Sequence, residues 1–233
     1  MFYYYDATYL LVIVGALLCT LASLYVNSSM KKYHQVRNMS GLTGAEAAER
    51  ILHSQGIYDV RVECITNGGG DHYDPRSKAV RLSRENYASA TVTAVAVAAH
   101  ECGHAKQHQD SYFPLTLRST LVPVVNIGSK LGIPLILLGV LLSWNMVLIQ
   151  IGILAFSLAV LFQLVTLPVE FNASRRAIST MEGIGILGAG EIGGAKNVLR
   201  AAALTYVAAT ASSILQLLRL VLLFGGGNRR NRR

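Results

Sequence analysis

The chain has 233 residues, room for one domain or two, and is 52% hydrophobic with only 15% charged residues. That balance is too oily for an ordinary soluble domain, and the formal charge of +8 is explained by basic blocks facing anionic lipid, without nucleic acid. Three cysteines, Cys19, Cys64 and Cys102, are odd in number and lack CxxC spacing. They exclude a disulfide framework and a thiolate zinc site, and read as reduced packing residues.

Tyr9 to Val26 carries no charge and as a helix spans about 27 Å, enough to cross a bilayer core. Met1 to Thr8 has no Lys or Arg, so residues 1–30 are expected to form a retained anchor rather than a cleaved signal. Lys31, Lys32 and Arg37 follow it. The positive-inside rule then places Met1 outside and the next loop in the cytosol.

Residues 31–115 are expected to form a small cytosolic α+β unit, too small to bury a large core alone. Thr43-Gly44-Ala45-Glu46 has capping-box spacing and opens a helix that Gly56 can close. Val60, Val62 and Cys64 alternate with Arg61 and Glu63, as in a half-buried strand. Asn67 to Gly70 is a turn, and Lys78 to Leu82 is expected to return as the second strand of a hairpin. A helix is predicted from about Asn86 to Gln109, although Thr91 to Val97 alternates with the period of a strand.

Residues 116–168 are predicted to form a helical hairpin with crossings at about 121–142 and 146–167, joined at Ser143-Trp144-Asn145. Pro123, Lys130 and Pro134 leave its entry point open. Gly128 and Gly132 have the small-xxx-small spacing that lets helices approach. Residues 169–200 return as a cytosolic segment, and 201–224, interrupted by Arg219, form a fourth membrane helix. The tail, 225–233, conflicts with that plan: four arginines would end outside. The expected fold class is a mainly α, polytopic membrane protein with a small cytosolic α+β zincin-like unit.

His100-Glu101-Cys102-Gly103-His104 is H-E-x-x-H. On a helix, residues four apart stack one turn above each other, so both imidazoles can reach one ion. This geometry requires a helix and overrules the strand-like alternation. Zinc lowers the pKa of a water it holds to about 7, and Glu101 would take its proton as the water attacks a carbonyl. His108 lies about 12 Å along the axis from His100, too far to share zinc–nitrogen bonds of about 2.1 Å. It is expected to be a helix-end or outer-shell residue. The remaining ligand is sought in Leu167 to Arg176, where Glu170 is the first acidic residue after Asp110. Two crossings return it to the side that holds His100 and His104.

These stretches resemble the YugP-type membrane zinc metallopeptidases, which are gluzincin-like. The resemblance rests on Asp71 to Lys78, Ala99 to His108, Leu167 to Ala177, and Ala201 to Ala208. It implies one zinc ion per chain held by His100, His104 and Glu170, with Glu101 as catalytic acid and base. Ser174 stands where related enzymes often carry an aspartate, so the carboxylate expected to orient a ligand histidine is unidentified. By the same resemblance, the segment Asp71 to Lys78 would pair with extended substrate backbone. His72, Tyr73 and Tyr206 are candidate substrate-binding residues and oxyanion donors, with no preference among them.

The expected function is endopeptidase cleavage of membrane or membrane-associated proteins near the cytosolic face of the plasma membrane. The alternative is a non-catalytic zinc-bearing scaffold that organises membrane partners. No nucleotide cofactor is expected: Gly183 to Gly188 matches G-x-G-x-x-G, but a helix rather than a strand is expected before it, and Ala203 and Leu204 stand where an acid about 20 residues on would be needed.

Overall fold

Long apolar helices account for most of the chain in the computed structural model, which describes residues 6–66 and 68–225. The elements in order are α1 (Tyr9–His34), α2 (Gly44–Ser54), β1 (Arg61–Ile65), β2 (His72–Asp74), β3 (Ala79–Ser83), α3 (Arg84–Ala88), α4 (Val92–Gln109), α5 (Phe113–Leu141), α6 (Met146–Gly183) and α7 (Ala189–Phe224). Among the described residues, three helices, α1, α6 and α7, are long and apolar enough to cross a membrane. The two parts of α5, Phe113–Pro123 and Gly128–Leu141, meet at 46° and make a fourth span if taken as one. Pro123 lacks an amide hydrogen and clashes with the preceding turn, which explains a bend at that place. The protein is thus a polytopic, mainly helical membrane protein with a small α+β part. Most of the basic tail, Met1 to Tyr5 and Asn67 lie outside the described residues.

The chain divides into two compact units. The first comprises Met1–Ala22, Leu117–Leu167 and Thr205–Arg233. Here α5 and α6 form an antiparallel hairpin. Asn145 opens α6 by accepting hydrogen bonds from the amides of Val147 and Leu148 at 3.1 and 3.3 Å. Small residues bring the two helices together: a Cβ on Gly128 would sit 3.1 Å from the Ala155 carbonyl oxygen, and one on Gly152 would sit 2.7 Å from that of Gly132. The expected small-xxx-small pair therefore lies at a close helix crossing. The start of α1 meets the end of α7, where Arg219 pairs with Asp6 at 3.2 Å and lies over the Tyr9 ring. That pairing explains how α7 carries an arginine through an apolar run without breaking at it.

The second unit comprises Ser23–Thr116 and Pro168–Leu204. Thr43 and Glu46 form the expected capping box on α2, and Gly56 follows it with φ +72°. The sheet order is β1-β3-β2. The expected hairpin between the first strand and Lys78 to Leu82 is corrected: β1 and β3 run parallel, while β2 takes the antiparallel place on the other edge of β3. The cause lies in the connection. Asp71 accepts from the Ser83 amide and the Asn86 side chain, and Asp74 accepts from the Arg76 amide, Ser77 and Arg81. These bonds fold residues 71–83 into their own tight hairpin, leaving β1 only the far edge.

The predicted continuous helix over Asn86 to Gln109 is also corrected. It is two helices, α3 and α4, with an extended break at 89–91. The break is tertiary: Ala90 accepts from the Asn38 amide, and Val92 donates to Val36. Thr91 then caps α4 through the Ala94 amide. The strand-like stretch from Val92 to Val97 is helical, with every side chain from Val92 to Ala99 buried. Surrounded on all sides, it has no polar face to advertise the helical period. Around it a single core gathers Ile51 and Leu52 of α2, Val80 and Leu82 of β3, Ala177 and Met181 of α6, and Val198 and Leu199 of α7.

Candidate metal centre

The site is built where α4 and the last part of α6 touch. Gly103, inside H-E-x-x-H, makes the approach possible: a Cβ there would sit 2.6 Å from the Ala173 carbonyl oxygen. With no side chain between the two backbones, Glu170, one turn before Ser174 on α6, reaches the histidines of α4. Glu170 Oε2 lies 3.3 Å from His100 Nε2 and 3.6 Å from His104 Nε2. One ligand atom from each of the three residues lies within 4.8 Å of the others. Ligand atoms around a tetrahedral zinc with bonds of about 2.0–2.2 Å stand about 3.3–3.6 Å apart, which is the separation of the carboxylate from each imidazole here. Two imidazoles and one carboxylate also match the His2Glu donor set that leaves a fourth position open for chemistry.

Burial sharpens the electrostatics. Glu170 is 3% exposed and Glu101 is 7% exposed, an expensive place for carboxylates unless a cation compensates. Burial pushes the Glu170 carboxyl up, but the facing His100 and His104 imidazoles outweigh it and hold the group well below its usual range. Burial likewise opposes protonation of His104, and the neighbouring Glu170 and Glu101 charges prevail, raising it above its ordinary value.

The other imidazole nitrogens face away from the ion position. His100 Nδ1 lies 3.1 Å from Ser174 Oγ, and His104 Nδ1 lies 3.0 Å from Gln107 Oε1. Ser174, which replaces the expected aspartate, thus still meets a ligand histidine, as a hydroxyl. Gln107 also donates to the Val169 carbonyl at 2.8 Å and to Asn172 Oδ1 at 3.0 Å. Sequence reasoning identified neither contact. The usable signals were spacings: Gln107 follows His104 by three residues and Ser174 follows Glu170 by four, each on one helical face.

His108 does not join the converging ligand atoms. Its Nδ1 lies 2.8 Å from the Tyr73 hydroxyl of β2. Burial, with the charges of Asp59 and Asp74, pushes the Tyr73 phenol up to about 12, so it remains protonated at neutral pH. His72 is exposed, with its ring against the Gly70 carbonyl at 2.9 Å. Tyr206 belongs to α7 in the first unit. Asp71 and Asp74 accept the hydrogen bonds that hold the β2–β3 hairpin.

This geometry can be set against known proteins. The profile of the family described as "Putative neutral zinc metallopeptidase" matches residues 8–225, nearly the whole chain. A Bacillus subtilis (strain 168) protein named "Putative membrane protease YugP" is 49% identical over 210 residues, covering 90% of this chain and 93% of that protein. No solved structure matches the chain. The chain belongs to this family of zinc metallopeptidases, and its relative carries a membrane protease name.

Proposed function

We propose that the protein is a membrane-anchored zinc endopeptidase that cuts membrane or membrane-associated proteins near the cytosolic face of the plasma membrane. The observation that carries this reading is the convergence of two imidazole nitrogens and one buried carboxylate from two helices. His100, His104 and Glu170 hold one ion. Zinc bound there supplies Lewis acidity to a substrate carbonyl and acidifies water. Glu101 neighbours the first ligand on α4, removes the proton from the attacking water and delivers it to the leaving amine. Extended substrate pairs with the outer edge of β2, the strand that carries Tyr73 at one side of the sheet. The protonated Tyr73 hydroxyl is the favoured donor to the developing oxyanion among the three candidates, because its partner His108 stands one turn beyond His104 on α4.

The membrane-proximal substrate follows from α6. Glu170 follows the uncharged run Met146 to Pro168 by two residues, which favours substrates presented close to the end of an apolar span. Orientation rests on Lys31 and Lys32 in the last turn of α1 and on Arg37 just after it. The test pairs metal analysis with turnover. Wild-type protein should carry one zinc per chain, and E101Q should retain zinc while losing cleavage of a membrane-anchored test protein. A loaded E101Q variant that leaves cleavage unchanged would favour the scaffold alternative. Labelling from outside intact cells of a cysteine placed at Tyr58, 76% exposed, in a Cys64→Ser background would reverse the orientation.

A further inference from the structure

We infer that Gln107 is the positioning residue that fixes the His104 imidazole for metal and locks that histidine to the helix carrying Glu170. The inference rests on the zinc reading above and goes beyond it, to how the ligand set is held. Gln107 is 0% exposed, and a buried primary amide must satisfy both its acceptor and its donors. Its oxygen faces His104 Nδ1 at 3.0 Å, and its nitrogen donates to the Val169 carbonyl and Asn172 Oδ1 at 2.8 and 3.0 Å. Val169 and Asn172 flank Glu170 in sequence. One side chain therefore touches the first ligand helix beside His104 and the second beside Glu170.

The polarity of these contacts sets the chemistry. Gln107 spends its NH2 group on two acceptors of α6, so its oxygen is what remains to face His104. An amide oxygen can only accept, so His104 Nδ1 must carry the hydrogen. The lone pair is then on Nε2, the nitrogen 3.6 Å from Glu170 Oε2. The tautomer needed for metal binding is thereby imposed through α6. The amide itself is held: Asn172 Oδ1 also accepts from Arg176 Nε at 2.8 Å, and Arg176 pairs with Asp110 at 2.6 Å. An uncharged acceptor also suits the site, since a carboxylate at Gln107 would add a third buried anion to Glu101 and Glu170.

The test separates orientation of His104 from simple helix clamping. Q107L removes the acceptor and the donors, whereas Q107E keeps an acceptor for His104 and loses the donors to α6. Zinc affinity is measured by chelator competition, and the thermal midpoint of the zinc-free protein is recorded for each variant. Both variants should lower that midpoint. Q107L should weaken zinc binding by about 10- to 100-fold, while Q107E should bind within a few-fold of wild type or more tightly. Equal weakening in both variants, or wild-type affinity in Q107L, overturns the inference. If Q107L does not accumulate as folded protein, the cobalt(II) spectrum of Q107E decides. A wild-type band pattern supports orientation, and an altered pattern with weak binding refutes it. Wild-type protein that holds no zinc would remove the metallopeptidase reading and this one together, whereas a loaded wild type with an equally tight Q107L sinks only the role of Gln107.

Discussion

Replacing Gly103 with alanine tests whether the centre depends on backbone contact between α4 and α6. The new Cβ would stand 2.6 Å from the Ala173 carbonyl oxygen, 3.1 Å from its carbon and 3.2 Å from its Cα. All three are backbone atoms, so no side chain can swing aside. Ordinary contact begins at 3.4 Å, and the helices must part by about 0.8 Å in a packed interior that yields little. A metal site tolerates about 0.2 Å. Overpacking of this kind costs about 1–3 kcal/mol, or about 5- to 150-fold in zinc affinity at about 1.4 kcal/mol per decade. Helix propensity alone has the opposite sign, favouring alanine over glycine by about 1 kcal/mol. G193A on α7, whose Cβ would meet nothing within 4 Å, is the control and should raise the thermal midpoint. Chelator competition and thermal unfolding of the zinc-free protein provide the readouts. A G103A protein that gains stability like the control and binds zinc at the wild-type level would refute the reasoning.

Two further outcomes follow from the same geometry. S174A removes the hydroxyl at His100 Nδ1 and should weaken zinc by about 10- to 100-fold with little change in the fold, checked by chelator competition beside circular dichroism. In zinc-free protein the pair formed by His104 and Glu170 should make stability depend on pH. Raised above its ordinary 6.5, His104 contributes fully below that value and loses its contribution as pH climbs through the folded value. Lowered from its ordinary 4.5, Glu170 contributes above 4.5 and loses it as pH falls through the folded value. The zinc-free wild type should therefore exceed E170Q most clearly between 4.5 and 6.5, measured by denaturant unfolding across that range. A constant gap from acid to alkaline pH would contradict the pairing.

Much of this protein is determined by short-range pattern. The apolar runs require membrane helices because an unpaired backbone cannot exist in lipid, and α1, α6 and α7 lie where those runs do. The capping box at Thr43 and the i, i+4 spacing of His100 and His104 are local in the same way, since one helical turn fixes them. Glu170 is the first acidic residue after the second crossing, and its carboxylate converges on both imidazoles.

Tertiary structure decided the rest, because those features depend on which surfaces meet. Whether β1 joins β3 in parallel depends on a hairpin closed by Asp71 and Asp74, and no period in residues 60–82 encodes it. The break at 89–91 arises because Asn38 and Val36, far earlier in the chain, take its backbone hydrogen bonds. Gln107 and Asn172 are 65 residues apart and meet only because Gly103 lets two helices touch. Local sequence can declare a side chain's chemistry and its helical face, but the partner across that face is set by packing.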